Sequence, residues 1–198
     1  MDSSAWDRRY AEKELVWSAA PNRFLVAETA GLEPGRALDL ACGEGRNAIW
    51  LAERGWRATA LDFSEVAIDK ARRIAAARGV EVDWRVADVL VHEPEPRAFD
   101  LVLLFYLQLA RDELQAAVAC AAGAVAPGGT FLLVAHHSRN LEEGWGGPQD
   151  PAVLYGAEDV APALEGLEVE RGEAVLRPVE EEGATAVDVL VRARRPAA

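Results

Sequence analysis

Ala37-Leu38-Asp39-Leu40-Ala41-Cys42-Gly43-Glu44-Gly45-Arg46-Asn47 runs an apolar segment straight into a glycine-rich turn, and a second apolar run ends at Leu61-Asp62-Phe63. The first run has the composition of a buried strand, and a helical pattern leaves the turn. Asp62 stands nineteen positions past Gly43. Strand, glycine turn, helix, strand and acid together build a pocket for an adenosine-bearing cofactor. The glycines let the ligand approach the backbone closely, and the acid takes the two ribose hydroxyls.

Gly43-Glu44-Gly45-Arg46-Asn47-Ala48 reads G-x-G-x-x-A, which a dinucleotide site also allows. Such a site rests a pyrophosphate on the helix N-terminus, and the acids Asp39 and Glu44 would repel it. The same acids suit a ligand carrying an ammonium and a sulfonium. The run resembles motif I of the class I S-adenosylmethionine-dependent methyltransferases, roughly D-x-G/A-C-G-x-G, and the resemblance extends over about residues 36–137. It implies S-adenosyl-L-methionine as cofactor. Asp39 and the nearby backbone of Ala41, Gly43 and Gly45 would hold its methionine part, and Asp62 its ribose. The longer run to Ala48-Ile49-Trp50-Leu51-Ala52, with its G-x-G-R-N turn, looks like the tellurite-resistance and thiopurine methyltransferase branch. A nicotinamide-dependent oxidoreductase and a non-catalytic S-adenosylmethionine-binding module are the alternatives.

The 198 residues suffice for one domain, expected to comprise a helical lid over residues 1–30 and an α/β core over 31–198. No apolar run approaches a membrane span, and Met1-Asp2-Ser3-Ser4-Ala5-Trp6-Asp7 lacks the layout of a signal peptide, so a cytoplasmic protein without membrane contact is expected. Cys42 and Cys120 suggest thiols rather than a disulfide framework; Cys42 suits either a reactive thiol or small-residue packing in a tight turn. Acids outnumber bases 33 to 21, and only two of the bases are lysines. Nothing in that balance neutralises phosphates, so the expected partner is a small-molecule acceptor and not nucleic acid.

Along the chain, residues 3 to about 30 read as helical, with Trp6, Tyr10 and Glu14 on one face and Phe24, Leu25 and Glu28 in a second segment. Strands are expected at about 36–41 and 57–62, separated by a helix over about 46–54 that Gly55 closes. Ser64 caps a helix reaching about residue 78, with Ala67, Ala71, Ile74, Ala75 and Arg78 at helical spacing. Val80, Val82, Trp84 and Val86 alternate with charged residues, the pattern of a half-exposed strand. Phe99 to Phe105 reads as a buried central strand, Leu114 to Ala121 as a helix, 126–129 as a turn, and Thr130 to His136 as another buried strand. A loop over 138–152, a short helix near 157–164 and strands at about 167–177 and 184–194 complete the order. The expected fold is α/β: a doubly wound, Rossmann-like, mostly parallel seven-stranded sheet with one antiparallel strand in a C-terminal hairpin.

The resemblance implies further cofactor contacts at Ala87-Asp88-Val89, where an acid meets the adenine amino group, and at Phe63 beside the ring. Asp88 suits a turn cap equally, and Phe63 the core. Phe105, Tyr106 and Gln108 end the fourth strand near the point where strand order should reverse, Phe105 on the cofactor side and Tyr106 and Gln108 on the acceptor side. The family's amino-methylating signature, an aspartate or asparagine followed by Pro-Pro-Tyr, is missing there. Arg46 offers a fork to an oxyanion substrate, or a salt bridge to Glu44 or another acid. His136, His137 and Arg139 follow the fifth strand; side-chain alternation lets one histidine face the cleft as a general base, with Arg139 on the acceptor side. A metal site is not expected, because His92, the third histidine, lies in a Glu-Pro loop away from the other two. Trp6 and Tyr10, one helical turn apart, either lid the sulfonium by cation–π attraction or simply pack on the sheet.

Overall fold

The structure, a computed structural model, describes residues 3–12, 15–16 and 18–197; Glu14 lies outside them. Seven strands form one sheet: β1 (Arg36–Leu40), β2 (Arg57–Asp62), β3 (Asp83–Val86), β4 (Phe99–Phe105), β5 (Val125–His136), β6 (Glu168–Val179) and β7 (Ala184–Arg194). Their order is β3-β2-β1-β4-β5-β7-β6, and β7 alone runs antiparallel to its neighbours. The order reverses between β1 and β4, which opens a crevice at the carboxyl edge of those two strands.

The middle of the sheet is apolar because both of its faces are covered. Val102 and Leu104 of β4 join Leu38, Leu40, Phe131 and Leu133 on one face, under helix α5 (Arg111–Ala124). Leu101 and Leu103 join Leu132 and Val134 on the other, under α2 (Arg23–Glu28) and α3 (Arg46–Ala52). Ser64 caps α4 (Glu65–Ala77) by accepting from Ala67 N at 3.1 Å. Ile68, rather than Arg78, completes the buried face of α4, and Arg78 is left exposed at the helix end.

The expected boundaries shift where hydrogen bonding outweighs side-chain pattern. Alternation from Val80 suggests a longer β3, but this edge strand pairs with β2 only from Asp83, and Val86 is 48% exposed. Residues 126–129, expected as a turn, belong to β5 as an irregularity in its pairing with β4. Gly128 there takes φ 76°; its N–H donates to the Arg195 carbonyl, and the Arg195 N–H donates back to the Gly129 carbonyl. The helical lead-in divides into α1 (Ser3–Ala11) and α2. The 138–152 segment contains α6 (Asn140–Glu143) and a 3-10 turn at Pro151–Val153. Asn140 anchors this segment: its Oδ1 accepts from Val187 N at 2.7 Å, and its amide donates to the Gly146 carbonyl at 2.8 Å. The helix expected to reach 164 is α7 (Ala157–Val160), followed by a 3-10 turn at Ala161–Ala163, where Pro162 supplies no N–H. Among the described residues no helix is long and apolar enough to cross a membrane.

Candidate active site

β1 and β2 end in register, Leu40 beside Leu61, so the turns that follow them share one edge of the sheet. Ala41, Gly43 and Gly45 all take left-handed backbone, at φ 58°, 55° and 76°. A Cβ at Gly45 would strike the Trp84 indole, so glycine is required there twice over. The tight path aims the Gly43 N–H at Asp62, whose Oδ2 accepts it at 2.9 Å, while Oδ1 accepts from Ser64 N at 2.9 Å. Burial lifts the Asp62 carboxyl above its ordinary range, and these backbone donors oppose the rise. The carboxylate is thus aimed by the backbone, and each oxygen retains acceptor capacity for a ribose hydroxyl.

Asp39 sits inside β1 at 2% exposure, and its Oδ2 has no hydrogen-bond partner. Burial pushes its carboxyl up to about 7, against the pull of an Ala48 backbone hydrogen bond and the Arg46 charge. An orphaned carboxylate oxygen in a dry site lacks a cation or donor. The ammonium of S-adenosylmethionine fits that requirement, and a pyrophosphate does not.

Glu44 corrects the charge argument drawn from the sequence. It is buried, accepts from Val16 N at 3.0 Å and pairs with Lys70 at 3.2 Å, so it fastens the N-terminal segment to α4 and does not face the cofactor turn. Lys70 also donates to the Tyr10 carbonyl, and Asp7 accepts from Ser64 Oγ at 2.5 Å. These bonds set α1 beside the ribose acid. The Trp6 and Tyr10 rings lie 5.7 Å apart, with Arg9 stacked on Trp6. Past β3, Ala87 N donates to the Asp62 carbonyl, Asp88 Oδ1 caps Leu90 N at 2.9 Å, and Val89 is buried. Asp88 therefore does cap a turn, and its exposed side chain keeps a second oxygen for a ligand. Phe63 is half-buried directly after Asp62. Phe105 packs into the core with Trp50 and Leu103 at the end of β4. Burial raises the Cys42 thiol well above its usual range, which disfavours the nucleophilic thiolate, and its side chain packs against Ala48, Ala58 and Ala60.

A second polar cluster is built by residues from both ends of the chain. Tyr106, at φ 53°, donates its backbone N–H to the Val134 carbonyl at 2.7 Å and its phenol to Asp188 at 2.7 Å. Burial and the Asp188 charge push that phenol well above its usual range, so it stays a donor. Asp188 is wholly buried on β7, directly opposite His136 of β5, and cross-strand partners share a face. His136 Nδ1 stands 3.4 Å from Asp188 Oδ1 and has no other hydrogen-bond partner among the described residues. Arg177 of β6 donates to Asp188 at 2.6 Å. Burial would raise the Asp188 carboxyl, but His136, Arg177 and Tyr106 together hold it below its usual range. Asn22 joins the two halves: its N–H donates to Asn47 Oδ1 at 2.9 Å and its amide to the Tyr106 oxygen at 3.5 Å.

Alternation separates the two histidines. His136 faces Tyr106, with ring centroids 5.0 Å apart, and Gly147 lies against its imidazole closely enough that a Cβ would stand 2.9 Å from Nδ1. His137 turns the other way, and its Nδ1 accepts from Arg139 N at 3.0 Å. That turn-capping bond takes His137 out of the cleft. Arg139 is exposed and forked onto Glu143, which corrects its assignment to the acceptor side. Arg46, half-buried, pairs with neither Glu44 nor any other acid among the described residues; burial lowers its pKa, and electrostatic interactions with Tyr106, Asp39 and Tyr10 oppose that. Gln108 is half-buried past Tyr106. Asp188, Arg177 and Asn22 are the residues that sequence reasoning missed. Asp188 had a signal, a lone acid within Ala186-Val187-Asp188-Val189-Leu190-Val191, since a charge in a buried strand needs partners.

A concavity of about 760 Å³ lies elsewhere, between α4 and the amino ends of β2 and β3. It is an open groove on the wrong edge of the sheet for this chemistry. Among the described residues no group of His, Cys, Asp and Glu is gathered that could hold a metal ion.

Residues 37–129 match a family described as a methyltransferase domain. A ubiquinone biosynthesis O-methyltransferase of Alkalilimnicola ehrlichii is 40% identical over 105 residues, covering 52% of this chain and 42% of that protein. The chain matches about half the length of such curated relatives. A structure solved in work on the conversion of a disulfide bond into a thioacetal group during echinomycin biosynthesis is 29% identical, with a TM-score of 0.79 over 98% of this chain and 91% of that one. TehB from Haemophilus influenzae shares the fold, with a TM-score of 0.75 at 16% identity over 96% of this chain and 66% of its own. The motif run lies within the residues that resemble a methyltransferase domain, and the chain as a whole shares its fold with these solved structures.

Proposed function

We propose that the protein transfers a methyl group from S-adenosyl-L-methionine to a small-molecule acceptor in the cytoplasm. The observation that carries the reading is the unpartnered Asp39 oxygen buried beside the backbone-aimed Asp62. When bound, the cofactor supplies an activated methyl group whose sulfonium leaves as a neutral thioether. The chain's own part is to hold, orient and dry. Asp39 takes the ammonium, Asp62 the ribose, and Phe63 with Ala87, Asp88 and Val89 the adenine. The helix carrying Trp6 and Tyr10 covers them and excludes water. Tyr106, Gln108, His136 and Arg46 face the acceptor, and Arg46 suits an acceptor bearing an anionic group.

The net charge of −12 supports a small acceptor over nucleic acid. So do the relatives, one named for O-methylation in ubiquinone biosynthesis and one solved in work on a disulfide-to-thioacetal conversion. Membership of the tellurite-resistance and thiopurine branch rests on the Gly43-Glu44-Gly45-Arg46-Asn47 turn; the likeness to TehB concerns the fold. Calorimetry with S-adenosylmethionine, its demethylated product and NAD tests the cofactor, and release of labelled demethylated product in the presence of acceptors tests catalysis. Saturable binding of the first two without NAD is expected. Binding of NAD alone would return the chain to the oxidoreductases.

A further inference from the structure

Asp188 is buried, held ionised and set opposite a histidine, and none of its hydrogen bonds goes to the cofactor turn. Four elements converge on it. β7 carries the carboxylate, β5 brings His136 opposite, β6 brings Arg177, and the residue after β4 brings Tyr106. Two of these partners are fixed by the sheet itself. His136 is the direct cross-strand neighbour of Asp188, and Arg177 is the diagonal one, two positions beyond Val175, the residue opposite Asp188. The left-handed backbone of Tyr106 swings its phenol back onto the same carboxylate.

From this juxtaposition we infer that Asp188 is a positioning residue that holds His136 as the Nδ1–H tautomer, leaving Nε2 to take a proton from a hydroxyl acceptor. The inference deepens the methyltransferase reading and rests on it. Asp188 has two oxygens and needs donors at both. Tyr106 and Arg177 Nε occupy Oδ2, and Oδ1 is left to the His136 ring and the distal Arg177 nitrogen at 3.4 Å. A carboxylate can only accept, so the ring nitrogen facing it must carry the hydrogen. Nδ1 is buried with no other partner, whereas Nε2 makes no hydrogen bond to the described residues. Gly147 packs on the imidazole face and limits rotation of the ring.

The step balances without a further reagent. As the acceptor oxygen's electron pair forms the new O–CH₃ bond, its proton moves to Nε2. The electron pair of the broken sulfur–methyl bond stays on sulfur, and the imidazolium, facing Asp188, later returns the proton to water. The groups around His136 are Asp188 on β7, Arg177 on β6 and Tyr106 after β4, with Arg46 of α3 within electrostatic reach of Tyr106 and Arg177. A thiol acceptor, already ionised to a useful fraction, needs this base far less.

The first test needs neither cofactor nor acceptor. Imidazole nitrogen NMR of the ¹⁵N-labelled full chain, with His136→Gln to assign the signal, should show the neutral ring protonated on Nδ1. An Nε2–H tautomer overturns the proposal. Asp188→Asn should weaken the Nδ1–H preference and populate the Nε2–H form, because the anion facing Nδ1 is gone; an unchanged Nδ1–H population overturns it as well. If that variant does not fold, the wild-type tautomer still decides. The second test uses 3,4-dihydroxybenzoate as hydroxyl probe and thiophenol as thiol probe. Asp188→Asn should lower kcat on the hydroxyl probe by about 100-fold, the span of general-base catalysis, with acceptor KM nearly unchanged and a much smaller loss on the thiol. Equal losses on both probes would mean a merely structural role. Failure of the wild type to bind S-adenosylmethionine overturns the methyltransferase reading instead, and leaves the tautomer result standing on its own.

Discussion

Asp39 makes cofactor binding a proton-linked event. Its carboxyl titrates near 7 in the free protein, against an ordinary 3.8, because burial outweighs the Ala48 hydrogen bond and the Arg46 charge. If the cofactor's ammonium meets the unpartnered Oδ2, the bound form holds Asp39 ionised, and the proton present in the free form leaves. Binding at pH 6 should therefore release close to one proton, at pH 7 about half, and at pH 8 almost none. The apparent Kd should be about tenfold weaker at pH 6 than at pH 8. Asp62, also lifted by burial, adds to the release in the same direction, so Asp39→Asn is the variant that separates the two. The assay is titration calorimetry in buffers of different ionisation enthalpy. In the wild type the observed enthalpy should depend on the buffer below pH 7, and in Asp39→Asn that dependence should largely vanish while affinity falls. Buffer-independent enthalpy with intact saturable binding would refute the reasoning. The same shift has a stability side. A folded-state value above the unfolded one destabilises the fold as pH climbs from about 4 to about 7, and the effect is complete above that. A rise of about three pH units is worth about 4 kcal/mol, so Asp39→Asn should raise the midpoint of urea unfolding of the free protein at pH 8 and leave it nearly unchanged at pH 4.

Asp62→Ala should weaken S-adenosylmethionine by about 1.5–3 kcal/mol, read by calorimetry on folded protein, since a charged acceptor for the ribose is lost. Gly45→Ala should lower stability by at least about 1 kcal/mol in urea unfolding, because the left-handed φ and the Trp84 ring both oppose a Cβ. Arg46→Ala should raise the KM of an anionic acceptor while leaving cofactor affinity nearly unchanged; equal loss of cofactor affinity would place the guanidinium on the cofactor instead. Hydrogen exchange should slow in α1 when S-adenosylmethionine is added, and equal exchange with and without it would count against a lid.

The cofactor half was legible because its chemistry is local. A strand, a turn that needs glycine and an acid at the end of the next strand lie within 26 residues, Ala37 to Asp62, and each constrains the backbone directly. The mostly parallel seven-stranded sheet and its antiparallel C-terminal hairpin followed from the alternation of apolar runs with helices. The acceptor half was less legible because it is assembled across the sheet. Nothing near His136 in sequence announces Asp188, and nothing near Asp188 announces Tyr106. Cross-strand register brings them together, and register is a property of the pairing, not of either strand alone. Glu44 shows the converse. Its position in the motif suggested a ligand-facing acid, but it accepts from the Val16 N–H and from Lys70, and a buried carboxylate turns toward donors. Arg139 had a partner four residues on, and a surface helix pairs such residues before a crevice can recruit them.

The dependence of Tyr106 and His136 on β7 bears on how the chain emerges during synthesis. Asp39, Asp62 and the turn between them leave the ribosome well over a hundred residues before Asp188. Until β7 slots between β5 and β6, Tyr106 and His136 have no carboxylate to align them, and β5 presents a bare apolar edge. A nascent chain at that point can assemble the surface that grips a methyl donor while lacking the surface that directs the methyl group. Late arrival of a single strand thus leaves β5 as the segment most in need of protection while synthesis is under way.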